Sequence, residues 1–105
     1  MCSLEHAHWR LSALPAHCAG FRDRGTLVEG APADVVVYDL ERLACRPTEV
    51  AHDFPGGEWR RIQRAHDYRF VLVNGRVTIE EDRETQTHAG RLLRHGADAR
   101  PASAR

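Results

Sequence analysis

Gly25-Thr-Leu-Val-Glu-Gly-Ala-Pro-Ala-Asp-Val-Val-Val-Tyr-Asp39 is the most informative segment of the chain for its fold. Within it, Gly30-Ala-Pro32 is a turn signal that leads into the continuous β-branched and aromatic run Val35–Tyr38. Such a run predicts a strand that is covered on both faces. We expect a structural carboxylate at each end of this strand. Asp34 should accept backbone N–H groups at its entry, and Asp39 should cap its exit.

A tight hairpin is predicted further along the chain by Val71-Leu-Val-Asn-Gly-Arg-Val-Thr-Ile79. Its centre, Asn74-Gly75, tolerates the positive φ that a type I′ turn requires at both central residues. The flanking runs, Phe70–Val73 and Arg76–Ile79, are therefore expected to pair as antiparallel strands.

Residues 3 to 21 are predicted to be helical, with Ser3 as the N-cap and Glu5 in the first turn, where the helix dipole favours an acid. Apolar residues recur at helical spacing and form one stripe, made of Leu4, Ala7 or His8, Leu11 and Leu14. Pro15 cannot lie inside a continuous helix, so we expect it to start a second short turn. Gly20 then supplies the C-terminal stop.

The rest of the chain is less regular. Residues 41 to 58 are predicted to be irregular because proline and glycine punctuate them, with a long surface loop at His52–Gly57. Residues 59 to 80 return to strand. The polar segment after them is expected to contain a short helix at Ala89–Arg94. The tail at 97–105 has no large apolar residue and is expected to be disordered.

Size and charge exclude several classes of protein. The chain has 105 residues, whereas a (β/α)₈ barrel needs about 250. Fifteen arginines, with no lysine, balance fifteen acidic residues, so no basic excess favours nucleic-acid binding. No apolar run approaches a membrane span or the core of a signal peptide. Cys2, Cys18 and Cys45 are too widely spaced for a disulfide framework and predict reduced thiols in the cytoplasm.

Histidines that neighbour an acid or another histidine are the candidates for metal binding or acid–base catalysis. His6-Ala-His8 could chelate a metal on a strand. On the predicted helix the two side chains lie about 200° apart, which favours two surface histidines. His52-Asp53 and His66-Asp67 place an acid beside a base, but sequence neighbours point in different directions in regular elements. Solvated loop residues are therefore favoured, and no catalytic, cofactor-binding or metal-ligating residue is assigned.

These sequence segments, taken in the order in which they occur, resemble the C-terminal end of metal-dependent amidohydrolases, which are members of the amidohydrolase superfamily. Ser3–Ala16 and Phe21–Gly25 are similar to the last helix of the catalytic barrel and its exit, and Gly30–Asp39 is similar to the strand that follows. Three further phrases narrow the resemblance to the branch of the N-acyl-D-amino-acid deacylases, or D-aminoacylases: Asp53–Arg61, Val71–Gly75 and Ala89–Arg94.

The resemblance implies an α+β fold without a barrel, in which a terminal barrel-type helix at 3–21 is followed by a small partial β-sandwich at 22–96. Enzymes of the family use one or two divalent metals, usually zinc, to activate water against an amide. Their His-x-His pair follows the first barrel strand, so that role is not carried onto His6 and His8. We therefore expect a truncated or split C-terminal portion that holds no cofactor and does not itself catalyse.

Two alternatives remain open. The chain could be a stand-alone binding or assembly module that docks on a separate barrel subunit, or a small enzyme that uses His52, Asp53 or His66. In the family, N-terminal strands complete the sandwich and the final helix packs on the barrel. Without them, the strand at Val35–Tyr38 and the leucine stripe are expected to require a barrel-containing subunit or to self-associate. Neither nucleic acid nor a membrane is expected as a partner.

Overall fold

The computed structural model describes residues 1–96, which form two short helices, eight short strands and one 3-10 turn. The N-terminal helical segment and the antiparallel strands that follow confirm the α+β class, without a barrel. The predicted disordered tail at 97–105 lies outside the described residues. The helices and strands are α1 (Leu4–Leu11), α2 (Ala13–Cys18), β1 (Val35–Tyr38), β2 (Ala44–Cys45), β3 (Glu49–Ala51), β4 (Arg60–Ile62), β5 (Ala65–His66), β6 (Tyr68–Val73), β7 (Arg76–Glu80) and β8 (Arg83–Glu84).

A four-stranded antiparallel sheet in the order β1-β6-β7-β8 is the largest element. Val71 lies at its centre, opposite Val36 on β1 and opposite Ile79 on β7. Two-stranded ribbons, β2 with β5 and β3 with β4, make up the remaining β-structure of the described residues. β1 is an edge strand of the large sheet, so its outer backbone groups have no strand neighbour in this part of the chain.

The helical segment is broken into two helices, as the position of Pro15 predicts. α1 ends at Leu11 and α2 begins at Ala13, with Ser12 between them. The cause is Pro15, because its ring would clash with the carbonyl four residues earlier in a continuous helix. The second helix begins two residues before the proline, which places Pro15 in the first turn, where a missing N–H is tolerated.

Both ends of the helical segment are capped as the sequence predicts. The Ser3 hydroxyl accepts a first-turn backbone N–H at 3.2 Å. At the other end Gly20 has a φ of 75°. Its N–H donates to the carbonyl of His17 at 3.0 Å, and the N–H of Phe21 donates to that of Ala16 at 2.9 Å. This pair of bonds is a Schellman motif, which ends the helix at a residue with a left-handed conformation.

The hairpin between β6 and β7 has the predicted type I′ geometry. Val73 and Arg76 face each other across a two-residue loop. The φ angles of the loop residues are 50° for Asn74 and 76° for Gly75. Both are positive, as a type I′ turn requires.

Two other predictions are wrong. The stretch 41–58 contains β2 and β3, each of which pairs with a later strand. The helix expected at Ala89–Arg94 is absent, since six residues that include a glycine cannot offset the cost of helix nucleation without packing. The side-chain amide of Asn74 instead donates to the carbonyl of Ala89 at 2.6 Å. The loop at His52–Gly57 is exposed, as expected, and contains the 3-10 turn.

The apolar interior of the described residues is small. Within residues 1–96, Ala16 is the one apolar residue that is buried, with 9% of its surface exposed. Val36 and Val37 are 52% and 43% exposed, so the expectation that β1 is covered on both faces is wrong for this chain by itself. The strand has the composition of a covered element, but the described residues leave its two central valines about half exposed.

Replacement of Gly75 by valine should destabilise the fold by about 1–2 kcal/mol, because a β-branched residue resists the left-handed conformation of this turn. Urea denaturation of the purified chain measures the change. Gly90→Val is the matched control, since Gly90 has no positive φ and a Cβ there would meet no atom within 4 Å. Equal midpoints for the two variants would contradict the type I′ turn.

Candidate functional site

The carboxylate of Asp34 joins three parts of the chain. One oxygen accepts the backbone N–H of Asn74, in the hairpin turn, at 2.8 Å. The other oxygen pairs with the guanidinium of Arg24, in the segment that follows the helices. Beside them the N–H of Gly75 donates to the carbonyl of Ala33 at 2.9 Å. The predicted structural role of Asp34 is confirmed, although the N–H group that it binds comes from the hairpin turn.

Asp39 caps the end of β1, as predicted. Its side-chain oxygen accepts the N–H of Glu41 at 3.1 Å, and its carbonyl accepts the N–H of Leu43 at 2.8 Å. Its own N–H donates to the carbonyl of Asp67 at 3.0 Å. These contacts turn the chain out of the sheet and leave Asp39 in a structural role.

His66 and Asp67 contact each other, contrary to the expectation that neighbouring side chains diverge. His66 Nδ1 and Asp67 Oδ2 are 2.5 Å apart. Asp67 has a φ of 71°, and this left-handed conformation, which the sequence pattern does not reveal, turns its side chain toward its neighbour. The Asp82 carboxylate accepts the N–H groups of Asp67 and Tyr68, both at 2.9 Å. Those backbone bonds, the one from Asp67 first, hold the pKa of Asp82 below its ordinary value.

His52 and Asp53 stabilise the loop that joins β3 to β4 through hydrogen bonds. His52 Nδ1 lies 3.2 Å from the carbonyl oxygen of Gly57. Asp53 receives two hydrogen bonds from Arg60, at 2.8 and 2.6 Å, and these bonds lower the pKa of its carboxyl. The same guanidinium lies 5.3 Å from the centre of the Phe54 ring. Because these residues belong to one ribbon and His66 belongs to the other, the structure does not join them in one site.

The histidines of α1 also have structural partners. His8 Nδ1 lies 2.8 Å from the carbonyl oxygen of Leu4, and Nε2 lies 2.7 Å from the hydroxyl of Tyr38. The ring of His6 instead lies against Trp9, with their centres 5.5 Å apart. Across residues 1–96, no group of three or more His, Cys, Asp or Glu side chains could hold a metal ion. The described residues therefore do not fit the zinc that the family resemblance implies. The role of His8 is to link α1 to β1 through Tyr38.

One concave surface of the described residues is apolar. We call it the helix–sheet groove; it lies between the two helices on one side and β1 and β6 on the other and has a volume of about 830 Å³. Asp34, already paired with Arg24, is the one acidic or arginine side chain among its lining residues. Its apolar lining includes Trp9, Phe21, Leu27, Val36 and Val71.

A second groove, of about 630 Å³, lies beside β5, β6 and β8 and is lined by several charged side chains. Arg46, Arg64 and Arg83 line it together with Asp82 and Glu84. Its charges are largely paired, since Arg46 lies 3.8 Å from Asp82 and Arg64 lies 3.1 Å from Glu49, outside the groove.

The fold and these contacts define an α+β unit in which most of the candidate acids and histidines bind nearby backbone or side-chain groups of the same unit, and whose helix–sheet groove is apolar. The chain matches the amidohydrolase family model over residues 2–79. It belongs to the amidohydrolase family.

Two curated relatives come from Alcaligenes xylosoxydans xylosoxydans. The chain is 36% identical to an N-acyl-D-glutamate deacylase over 97 residues, which cover 92% of this chain and 18% of that protein. It is also 36% identical to a D-aminoacylase over 90 residues, which cover 86% of this chain and 17% of that protein. The chain therefore spans less than a fifth of the length of either relative. No solved structure matches it. Neither described helix has the length and apolar character needed to cross a membrane.

Replacement of Asp82 by asparagine should lower the folding stability at neutral pH and reduce the loss of stability between neutral and acidic pH. The pKa of Asp82 is lowered in the folded chain. Its contribution is therefore complete above the unfolded pKa of about 4 and is lost as the pH falls through the folded pKa. Urea midpoints of the wild type and Asp82→Asn should differ at pH 7 and converge in strong acid.

Glu29→Gln is the control for this experiment, because it removes an exposed carboxylate that is not part of the Asp82 contacts. It should leave the difference between neutral and acid midpoints unchanged. An Asp82→Asn midpoint equal to that of the wild type at pH 7 would show that the two backbone bonds do not stabilise the start of β6.

Proposed function

We propose that this chain is the C-terminal structural portion of an amidohydrolase of the D-aminoacylase type, and that it supports the catalytic barrel without itself hydrolysing the amide. One observation carries the proposal. The candidate acids and histidines are engaged in local structural contacts, while the helix–sheet groove is apolar. Such a distribution suits a part that is stabilised by packing against other polypeptide.

The proposed substrate class comes from the relatives. One is named for N-acyl-D-glutamate and the other is a D-aminoacylase, so the parent enzyme would hydrolyse the amide of an N-acyl-D-amino acid. In such a reaction a metal ion lowers the pKa of a bound water and polarises the carbonyl. Within the described residues we assign no side chain to that step, and the metal ligands would belong to the barrel.

The helix–sheet groove and the free edge of β1 are the surfaces through which the chain would support a barrel. Val36 and Leu27 are 52% and 77% exposed there, and covering such side chains contributes about 25 cal/mol per Å² of apolar surface removed from water. The bonds from Asp34 and His8 hold the helices and the sheet in one arrangement before that contact forms. The chain would thus present a preformed surface to the barrel.

The purified chain is expected to show no hydrolysis of N-acyl-D-amino acids, with or without added zinc, because its described residues offer no metal ligand set. Release of the free D-amino acid is the measurement, with the D-aminoacylase relative as the active control. Zinc-dependent turnover by the chain that is abolished by His6→Ala would refute the proposal.

A chimera provides the positive test. Replacement of the matched segment of the D-aminoacylase by residues 2–96 of this chain should give a folded enzyme that retains its kcat within about tenfold. His52→Ala and His66→Ala in this chimera should leave kcat unchanged, because the proposal gives both side chains a structural role. A folded chimera in which either substitution abolishes kcat would place that histidine in catalysis and contradict the proposal.

A further inference from the structure

The segment after β8 runs back across the molecule to the end of α2. We call this segment, residues 85–96, the strap; it contains neither helix nor strand. It begins beside β7, where the N–H of Thr85 donates to the carbonyl of Thr78 at 2.9 Å. Further on, the carbonyl of Ala89 accepts the side-chain amide of Asn74, in the hairpin turn, at 2.6 Å. The strap is therefore attached to the sheet at two places before it reaches the helices.

The end of the strap binds the carbonyl groups at the end of α2. Nδ1 of His95 lies 2.9 Å from the carbonyl oxygen of Ala19, and because a carbonyl oxygen only accepts, the imidazole donates this bond. The N–H of Gly96 donates to the carbonyl of Gly20, also at 2.9 Å. Carbonyls at a helix C-terminus have no partner within the helix, and a helix of six residues is too short to be stable alone. The strap therefore supplies donors that α2 itself lacks.

Gly20 leaves room for this contact. Its φ of 75° ends the helix, and a Cβ at this position would overlap the ring of His95. Gly30 has a similar φ of 84°, but a Cβ there would meet no atom within 4 Å. Of these two glycines, only Gly20 combines the left-handed conformation with a steric requirement set by the strap.

The strap closes a ring of contacts that holds the helical segment against the sheet. Asn74 binds the strap through its side chain and Asp34 through its backbone N–H. Asp34 in turn pairs with Arg24, which follows Gly20 closely in the chain. Within residues 1–96, Ala16 is the one apolar residue that is buried, so these polar contacts hold the end of the helical segment with little help from a core.

The sheet and the helices are held in different ways. β6 forms backbone ladders with β1 on one side and β7 on the other. In the described part of the chain the helices share no such ladder with the sheet; their links to it include the strap, the Arg24–Asp34 pair and the Tyr38–His8 bond. Parts of a protein that are held by few contacts open at a lower free energy than parts held by many. The helices are therefore able to leave the sheet while the sheet stays paired.

We propose that the strap is a latch for the helical segment. When the end of the strap leaves Ala19 and Gly20, residues 3–20 separate from the sheet as one unit, while β6 and β7 stay paired. The helix–sheet groove exists only in the latched state, because helix and sheet residues line it together. The latch is a property of the contacts within this chain, and only its consequence for a barrel rests on the proposed function.

Amide hydrogen exchange of the full chain tests the latch with two histidine variants. His95→Ala removes the imidazole that binds Ala19, whereas the control His88→Ala removes an exposed histidine of the same strap. The reporters are amides that donate to carbonyls of the helical segment and amides of the central strand, respectively Ser12, Ala19 and Phe21, and Val71 and Leu72. His95→Ala should accelerate exchange of the helix amides at least about threefold and leave the strand amides unchanged. His88→Ala should change neither group.

A second experiment measures the fit between Gly20 and the strap. Gly20→Ala introduces both a left-handed alanine and the overlap with His95, whereas the control Gly30→Ala introduces a left-handed alanine alone. Gly20→Ala should accelerate exchange of the helix amides, and Gly30→Ala should not. In the His95→Ala background the effect of Gly20→Ala should be smaller by at least about threefold, because the overlap is then gone.

Equal exchange of the helix amides in the wild type and His95→Ala would overturn the inference. Equal acceleration of helix and strand amides, or complete unfolding of His95→Ala, would also overturn it, because the helices and the sheet would then open together. An effect of Gly20→Ala that is the same in both backgrounds would contradict the latch as well. If the chimera with the D-aminoacylase is active while His95→Ala leaves exchange unchanged, the latch fails and the proposed function stands; a folded but inactive chimera with a confirmed latch gives the reverse.

Discussion

The carboxylate of Asp34 lies where the segment after the helices, the first strand and the hairpin turn meet. Its two oxygens hold Arg24 and the N–H of Asn74, which is 40 residues away in the chain. Because β6 and β7 are joined by that turn and β6 pairs with β1, this contact fixes the position of the turn relative to the start of β1. The Tyr38–His8 bond of 2.7 Å then attaches α1 near the other end of the same strand. With so little buried apolar surface, these contacts of side chains with the backbone and with one another determine the shape of the unit.

The parts of the fold that could be predicted are those with local physical causes. Val35–Tyr38 is a β-branched run, Asn74-Gly75 permits two positive φ angles, and Gly20 ends a helix. The short strands β2 and β3 could not be predicted, because each forms only through pairing with a strand that comes later in the chain. A strand of two or three residues carries no detectable alternation of apolar and polar side chains.

The same distinction applies to the candidate side chains. The structural roles of Asp34 and Asp39 follow from their positions at the two ends of one strand. The contact of His66 with Asp67 could not be foreseen, because it depends on a left-handed aspartate whose N–H is held by Asp82. Uncharged β1 was expected to be covered on both faces. β1 has the composition of a buried strand, but the described residues do not bury it. The proposed packing against a barrel would supply the missing contact.

Amide hydrogen exchange of the dilute, monomeric chain tests most directly whether β1 requires a neighbour. β6 has strand partners on both sides, so the amides of Val71 and Leu72 should be protected, whereas alternate amides of Val35–Tyr38 should exchange rapidly. Protection of Val35–Tyr38 should appear only when a second copy or a barrel partner covers that edge. Protection of β1 in the dilute monomer equal to that of β6 would show that this chain is self-sufficient, and would contradict the account of it as a structural part that other polypeptide completes.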